Sequence, residues 1–377
     1  LLGSVIALVA GIGAFAPDGH RAVVDAAADA PCAITDLAVP TEPSYSFAVV
    51  GDFGDFPAAG RVAAQIASWQ PTFVATLGDN AYNPDAPADG AGGFVWTGSK
   101  IDRGVGQWYW PWIGAYRGAF GGGPSPTRPS RFFRTLGNHD WDATPGGAVY
   151  AGLPDAAYYS LPGNERYYAV RAGDVELFVL DGDPRSVGAT GGRYEPDGVS
   201  ADSVQASWLR AHLADSTARW KIVLVHFPMY TSASRGPTTV LRWPFADWGA
   251  SLVLAGHEHQ YERLVGPDGL PYVVAGNGGN VLTTAFPGNP APATSLVRVP
   301  GQFGALRFDV TPTSLTMLAV GQPSATPTAP FGVVDQLSVP LARTQVVRPA
   351  CVLHLLTTGA ESVGAVPAVR LGPVATP

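Results

Sequence analysis

Five short apolar runs in this chain each stop at a turn built from metal-binding side chains. Ser44–Val50 runs into Gly51-Asp52-Phe53-Gly54, and Thr72–Leu77 into Gly78-Asp79-Asn80-Ala81-Tyr82. Arg131–Leu136 is followed by Gly137-Asn138-His139-Asp140, Lys221–Val225 by His226, and Ser251–Ala255 by Gly256-His257-Glu258-His259-Gln260. Apolar runs this short, bounded by turn residues, read as buried strands. Open α/β sheets place their ligands at the carboxyl ends of strands. Asp and Asn are ordinary turn formers, so any one block has a bland explanation. Five in succession do not, and four of the chain's seven histidines fall in them.

The first two runs flank Pro57–Trp69, where Val62, Ile66 and Trp69 recur at helical spacing and Pro stands in the first turn. That β-α-β order predicts a parallel pair. The turns together offer two carboxylates (Asp52, Asp79), one phenol (Tyr82), one amide (Asn138) and three imidazoles (His226, His257, His259). This is too many donors for one tetrahedral ion. It suits two ions sharing a bridging carboxylate, and two-metal sites clamp both oxygens of an in-line displacement. Phosphoester hydrolysis is the reaction that pattern predicts.

The remainder of the chain sets the context. Its 377 residues are nearly half hydrophobic, enough for a large core, and the net charge of −7 excludes a general binder of nucleic-acid duplexes. Residues 1–16 are almost wholly apolar and end Ala14-Phe15-Ala16, as the remnant of a secretory signal peptide would. A helix of that length reaches only about 24 Å, short of the ~30 Å hydrocarbon core, so no stable membrane anchor is expected. Residues 17–43 read as a poorly ordered lead-in, 44–321 as the catalytic domain, and 322–377, rich in Pro, Thr, Ala and Val, as an appendage packed on it. Secretion, extracellular or periplasmic, makes Cys32 and Cys351 a candidate disulfide. Between Asn83 and Ser130 patterning disappears and aromatics cluster (Trp96, Trp108, Tyr109, Trp110, Trp112, Tyr116), as a satellite core beneath a long loop. Arg166–Asp174 and Val175–Leu180 read as a hairpin. Ser200–Asp215 reads as a helix with Val204, Trp208 and Leu209 inward and Asp202 and Gln205 at capping-box spacing.

The order GD, GDN, GNHD, H, GHEH resembles the calcineurin-like metallophosphoesterases, over roughly residues 45 to 320. The commoner members carry Asp-x-His in the first block. Here Gly54 stands in place of that His, and Tyr82 follows Asp79 by three residues, which is the pattern of the purple acid phosphatases. The resemblance implies an α/β fold, a four-layer α-β-β-α sandwich of two mixed sheets with the metal site at strand carboxyl ends. It implies Fe(III) held by Asp52, Tyr82 and His259, with Asp79 bridging. A divalent Fe, Zn or Mn would sit on Asn138, His226 and His257. A hard phenolate favours a trivalent ion. His139 would meet the substrate phosphate or the leaving alkoxide; beyond the resemblance, the adjacent Asp140 is expected to orient it as an outer-shell carboxylate.

The implied activity is hydrolysis of small-molecule phosphate monoesters by hydroxide held at the metals, at acidic pH. Members often carry another His about nine residues beyond the equivalent of His226. Here that position is Arg235, which can clamp phosphate but cannot deliver a proton. The layout matches the small single-domain forms. A phosphodiesterase or nucleotidase, a di-iron redox protein and a non-catalytic binding module stay open from the residues. The sequence sets neither the ester nor the oligomeric state.

Overall fold

The computed structural model describes residues 35–36, 43–82, 86–87, 94–95, 102–114, 116, 118–121, 130–142, 164–186, 194–283, 285–287 and 293–342. Residues 1–16, Cys32 and Cys351 lie outside them, and so does Trp96. In chain order the strands are β1 (Thr35–Asp36), β2 (Tyr45–Val50), β3 (Val74–Thr76), β4 (Ala86–Pro87), β5 (Phe94–Val95), β6 (Phe132–Phe133), β7 (Tyr168–Ala172) and β8 (Val175–Val179). They continue as β9 (Trp220–Val225), β10 (Leu252–Ala255), β11 (Tyr261–Val265), β12 (Pro271–Ala275), β13 (Thr294–Val299), β14 (Gln302–Val310), β15 (Leu315–Pro323) and β16 (Gly332–Ser338).

Two mixed sheets dominate, one ordered β1-β7-β8-β9-β10-β12-β11-β13 and the other β16-β15-β14-β2-β3-β6. In the first, β8, β9, β10 and β12 run parallel. In the second, β2, β3 and β6 do. Strand alternation divides the apolar side chains into layers. Phe47, Val49, Ile222, Leu224, Leu252 and Leu254 face one shared core with residues of both sheets. Their alternates on β9 and β10, Val223, Val225, Val253 and Ala255, pack outward under Leu209 and Leu213 of the helix Val204–Asp215. Ala48 and Val50 pack outward under Val62 and Ile66 of the helix Pro57–Ser68. Helix, sheet, sheet and helix are therefore stacked as expected, with the central strands β2, β3, β8, β9, β10 and β12 buried on both faces.

The aromatic insert is the satellite core the sequence suggests. Tyr109, Trp112 and Tyr116 are buried with Phe132 against the second sheet. Trp108 and Trp112 donate their indole N–H groups to the carbonyls of Gly54 and Pro71, at 3.1 and 3.0 Å.

Several local expectations change. Thr35–Asp36, inside the segment read as lead-in, pairs in parallel with β7. β15 crosses residue 321, where the composition shifts, and β16 pairs with it, so the sheet extends past the expected boundary. The helix Val204–Asp215 is capped by Ser203, whose hydroxyl accepts from the Ala206 N–H at 3.1 Å. Asp202 and Gln205 form no capping box. Gln205 is buried and pairs with Asp181 instead, accepting from its N–H and donating to its carbonyl, both at 2.8 Å. Val204, expected inward, is exposed because it opens the first turn, away from the Leu209–Leu213 stripe.

The loops after β8 bury an acid pair, Asp181 and Glu195, with Arg166 donating to Glu195 at 3.1 Å. Burial pushes Glu195 up to about 7 despite Arg166. Burial, then the Glu195 charge, hold Asp181 well above the usual carboxylate range. The folded chain thus keeps a proton on Glu195 that the unfolded chain loses between about 4.5 and about 7. Stability therefore falls as pH rises through that window. Thermal midpoints should be higher at pH 5 than at pH 7, and Glu195→Gln should shrink the difference. A midpoint that climbs from pH 5 to pH 7 would contradict the assignment.

Candidate metal centre

All five candidate turns lie at carboxyl ends of parallel strands, where the two sheets meet. Asp52 and Asp79 follow β2 and β3, Asn138 opens a short helix (Asn138–Asp142) after β6, and His226 and His257 follow β9 and β10. The sheets are stitched together here. His226 Nδ1 lies 2.7 Å from the Leu77 carbonyl, and the His257 N–H donates to Asp52 Oδ2 at 2.9 Å.

The approach is so close that glycine is required. A Cβ on Gly256 would sit 2.5 Å from Asp52 Oδ2, and one on Gly78, whose φ is +87°, 2.5 Å from His226 Nδ1. Asp52, Asp79 and His257 themselves take left-handed backbone, with φ of 56°, 50° and 68°. Such conformations cost of order 1–3 kcal/mol each and persist where the surroundings dictate them, typically at functional sites.

Asp79 Oδ2 is the centre of the arrangement. It lies 3.2 Å from the Tyr82 hydroxyl, 3.3 Å from His226 Nε2 and 3.9 Å from His139 Nε2. On one side of it, Tyr82 Oη is 3.1 Å from Asp52 Oδ1 and 3.5 Å from His259 Nε2, and His259 Nε2 is 3.4 Å from Asp52 Oδ1. On the other, His226 Nε2 and His257 Nδ1 are 3.2 Å apart, and the ligand atoms of Asp79, His226 and His257 lie within 4.8 Å of one another. Asn138 Oδ1 is buried without a hydrogen-bond partner.

The electrostatics fit cations. Burial opposes the charge on Asp79, yet His226 and His139 hold its carboxyl well below the usual range. Burial opposes protonation of His226, but Asp79 and Asp52 raise it to about 9. Burial, reinforced by His226, drives His257 down to about 3. Burial, then Asp52 and Asp79, push the Tyr82 phenol well above its ordinary value. Lone-pair donors gathered this tightly are unfavourable unless cations neutralise them, and the buried Asn138 amide oxygen likewise lacks a partner. The donor set of oxygens and imidazoles suits one or two of them. His259 is fixed by its Nδ1, 2.7 Å from the Val281 carbonyl, which leaves Nε2 toward Asp52.

The remaining expected site residues fall in different places. His139 packs at a tilt against the Tyr82 ring, 4.6 Å between centroids, with its side chain 42% exposed and its backbone N–H on Asp79 Oδ1 at 2.9 Å. Asp140, expected to orient that imidazole, instead accepts from the Gly137 N–H at 2.8 Å and from the Asn80 side-chain amide at 3.0 Å. Asn80 also donates to the Thr135 carbonyl at 2.8 Å, so it locks the second turn to the third. Sequence reading assigned Asn80 no role, because its partners lie 55 and 60 residues away. Arg235, expected on substrate phosphate, donates to the His257 carbonyl at 2.8 Å and lies 3.8 Å from the buried Glu258 carboxylate. Glu258, left without a role above, also accepts from the Gly236 N–H at 3.0 Å and so anchors the loop that carries Arg235.

The family model for calcineurin-like phosphoesterase matches residues 45–261. The tartrate-resistant acid phosphatase type 5 of Homo sapiens is 33% identical over 87 residues, 22% of this chain and 27% of that protein. The Oryctolagus cuniculus enzyme of the same name is 31% identical over the same shares. The match therefore spans about a quarter of these curated relatives. Among solved structures, a purple acid phosphatase from yellow lupin (Lupinus luteus) seeds superposes with a TM-score of 0.56 at 17% identity, covering 81% of this chain and 56% of that one. GAP50, the anchor in the inner membrane complex of Plasmodium, gives 0.55 at 15% identity, covering 81% and 91%. Both share this fold.

Proposed function

This chain belongs to the calcineurin-like phosphoesterase family, and from that premise we propose that it is a secreted phosphatase of purple acid phosphatase type, acting on small phosphate monoesters at acidic pH. The observation that carries the reading is the position of Asp79 Oδ2, in reach of Tyr82 on one side and His226 on the other. Asp52, Tyr82 and His259 would hold Fe(III), Asn138, His226 and His257 a divalent Fe, Zn or Mn, and Asp79 both. Bound there, the ions would supply Lewis acidity toward a phosphoryl oxygen and acidify a water.

The protein's own groups supply the rest. Tyr82 is buried between two carboxylates and stays a phenol unless a highly charged cation faces it. That selects a trivalent ion and supports an acidic working range. His139, exposed and beside Asp79, would hydrogen-bond a phosphoryl oxygen and pass a proton to the departing alkoxide. Arg235 keeps part of its guanidinium toward solvent next to His257 and would contact the phosphate there. Tyr109, Trp112 and Tyr116 are buried and so not free to stack a base, which supports monoesters over nucleotides.

Among the described residues no helix is long and apolar enough to cross a membrane. Secretion and the Cys32–Cys351 disulfide follow from the sequence reading, and a cytoplasmic protein with two free thiols would contradict both. The function is tested by assaying simple monoesters, diesters and nucleotides side by side from pH 4 to 9. The expected result is preference for monoesters with an acidic optimum, and a KM raised about tenfold in Arg235→Ala through loss of a charge-assisted contact. Preference for diesters, or an alkaline optimum, would overturn it, and an unchanged KM would remove Arg235 from the substrate.

A further inference from the structure

We infer that Arg185 is a positioning residue for the second metal ion, acting through the backbone of Asn138; the inference rests on the two-metal reading above. Arg185 stands in the loop after β8, in the eight-stranded sheet, whereas Asn138 follows β6 of the other sheet. Its Nη2 donates across the seam to the Asn138 carbonyl at 3.3 Å.

The guanidinium is held in a fixed orientation. Its Nε lies 2.9 and 3.1 Å from the two carboxylate oxygens of Asp183, which is fully buried, and its Nη2 lies 2.6 Å from Asp183 Oδ2. The Arg185 backbone N–H donates to the same carboxylate at 3.0 Å. The cation lies over the Tyr194 ring, 3.7 Å from its centroid. Only a planar fork can meet a carboxylate, an aromatic face and a carbonyl at once.

The same loop grips the Asn138 helix at a second point. The indole N–H of Trp141 donates to Asp181 Oδ2 at 2.8 Å, and Tyr194 meets the Trp141 ring edge-on at 6.4 Å. Asn138 and Trp141 occupy one short helix, so both of its ends are tied to the Asp181–Arg185 loop.

The consequence concerns Asn138 in particular. It is the only neutral oxygen donor in the proposed set, and a carboxamide oxygen binds a cation more weakly than a carboxylate or imidazole does. Its contribution depends on being held in place before the ion arrives. Its Oδ1 is buried with no hydrogen-bond partner, so its position is set by the backbone turn that Arg185 and Trp141 secure.

The test uses the full-length chain, stripped of metal by chelation and titrated with Zn(II), for wild type, Arg185→Met and Arg185→Lys. The site that includes Asn138 should lose about 10- to 100-fold in affinity in Arg185→Met, the usual effect of removing an outer-shell support, while the other site is unchanged. Arg185→Lys, which keeps the charge but not the fork, should fall between. Excess Zn(II) should bring Arg185→Met to the same metal occupancy as wild type, which a general folding defect would not allow. Two sites of wild-type affinity in Arg185→Met would overturn the inference, as would equal weakening of both sites with a lowered melting midpoint. A wild-type chain that holds fewer than two ions overturns the two-metal reading beneath it, and is told apart by the wild-type titration alone.

Discussion

Asp79→Asn should lower phosphoesterase turnover by about 10³-fold and reduce the bound metal from two equivalents to one or fewer. The substitution keeps the side-chain shape and suits the left-handed backbone at this position, which Asn tolerates well. It removes only the charge of the one carboxylate that faces both ligand groups. A metal clamp supplies several kcal/mol of transition-state stabilisation, and each ~1.4 kcal/mol is a factor of ten in rate. The buried imidazole of His226, which Asp79 and Asp52 sustain as a cation in the metal-free protein, would lose its nearest carboxylate. Metal analysis and turnover should therefore fall together. Retention of two ions with near-normal turnover would remove Asp79 from the bridging position.

His139→Ala should behave differently. Turnover should drop by about 10²-fold or more, the range of a lost general acid, while both ions stay bound. The reason lies in which part of the residue does what. Its backbone N–H holds Asp79 Oδ1 and survives the substitution, whereas its imidazole is exposed beside the Tyr82 ring and ligates nothing in the proposed set. The loss should appear in kcat more than in KM, because the imidazole serves the departing oxygen and not the binding of the ground state. A variant that sheds metal would make His139 a ligand, and one with normal kcat would make it a bystander.

These two residues show what the sequence does and does not carry. The ligand turns were legible because each ends an apolar run, and the burial that makes a strand also leaves a short list of side chains at its end. The layering was legible for the same reason: Phe47 and Val49 face one core, Ala48 and Val50 the other. The supports between turns were not. Asn80 and Asp140 are 60 residues apart, and Arg185 and Asn138 are 47 apart. Such pairs leave no period or spacing to detect. Asp140 adjoins His139 in sequence, but in the fold three N–H groups, one of Gly137 and two of Asn80, converge on its carboxylate. Gln205 misled in the opposite sense. Its spacing from Asp202 mimics a capping box, yet burial against Asp181 takes its amide first. Composition was a poor guide to the end of the domain, because β16 is an edge strand whose exposed residues need no apolar pattern to pair.

The most direct test of the two-metal account is a visible absorption spectrum with metal analysis on protein produced in iron-supplemented medium. The account predicts two metal equivalents, at least one of them iron, and a broad charge-transfer band that disappears in Tyr82→Phe. A colourless protein, or a band that survives Tyr82→Phe, would contradict the assignment of Tyr82 to a ferric ion.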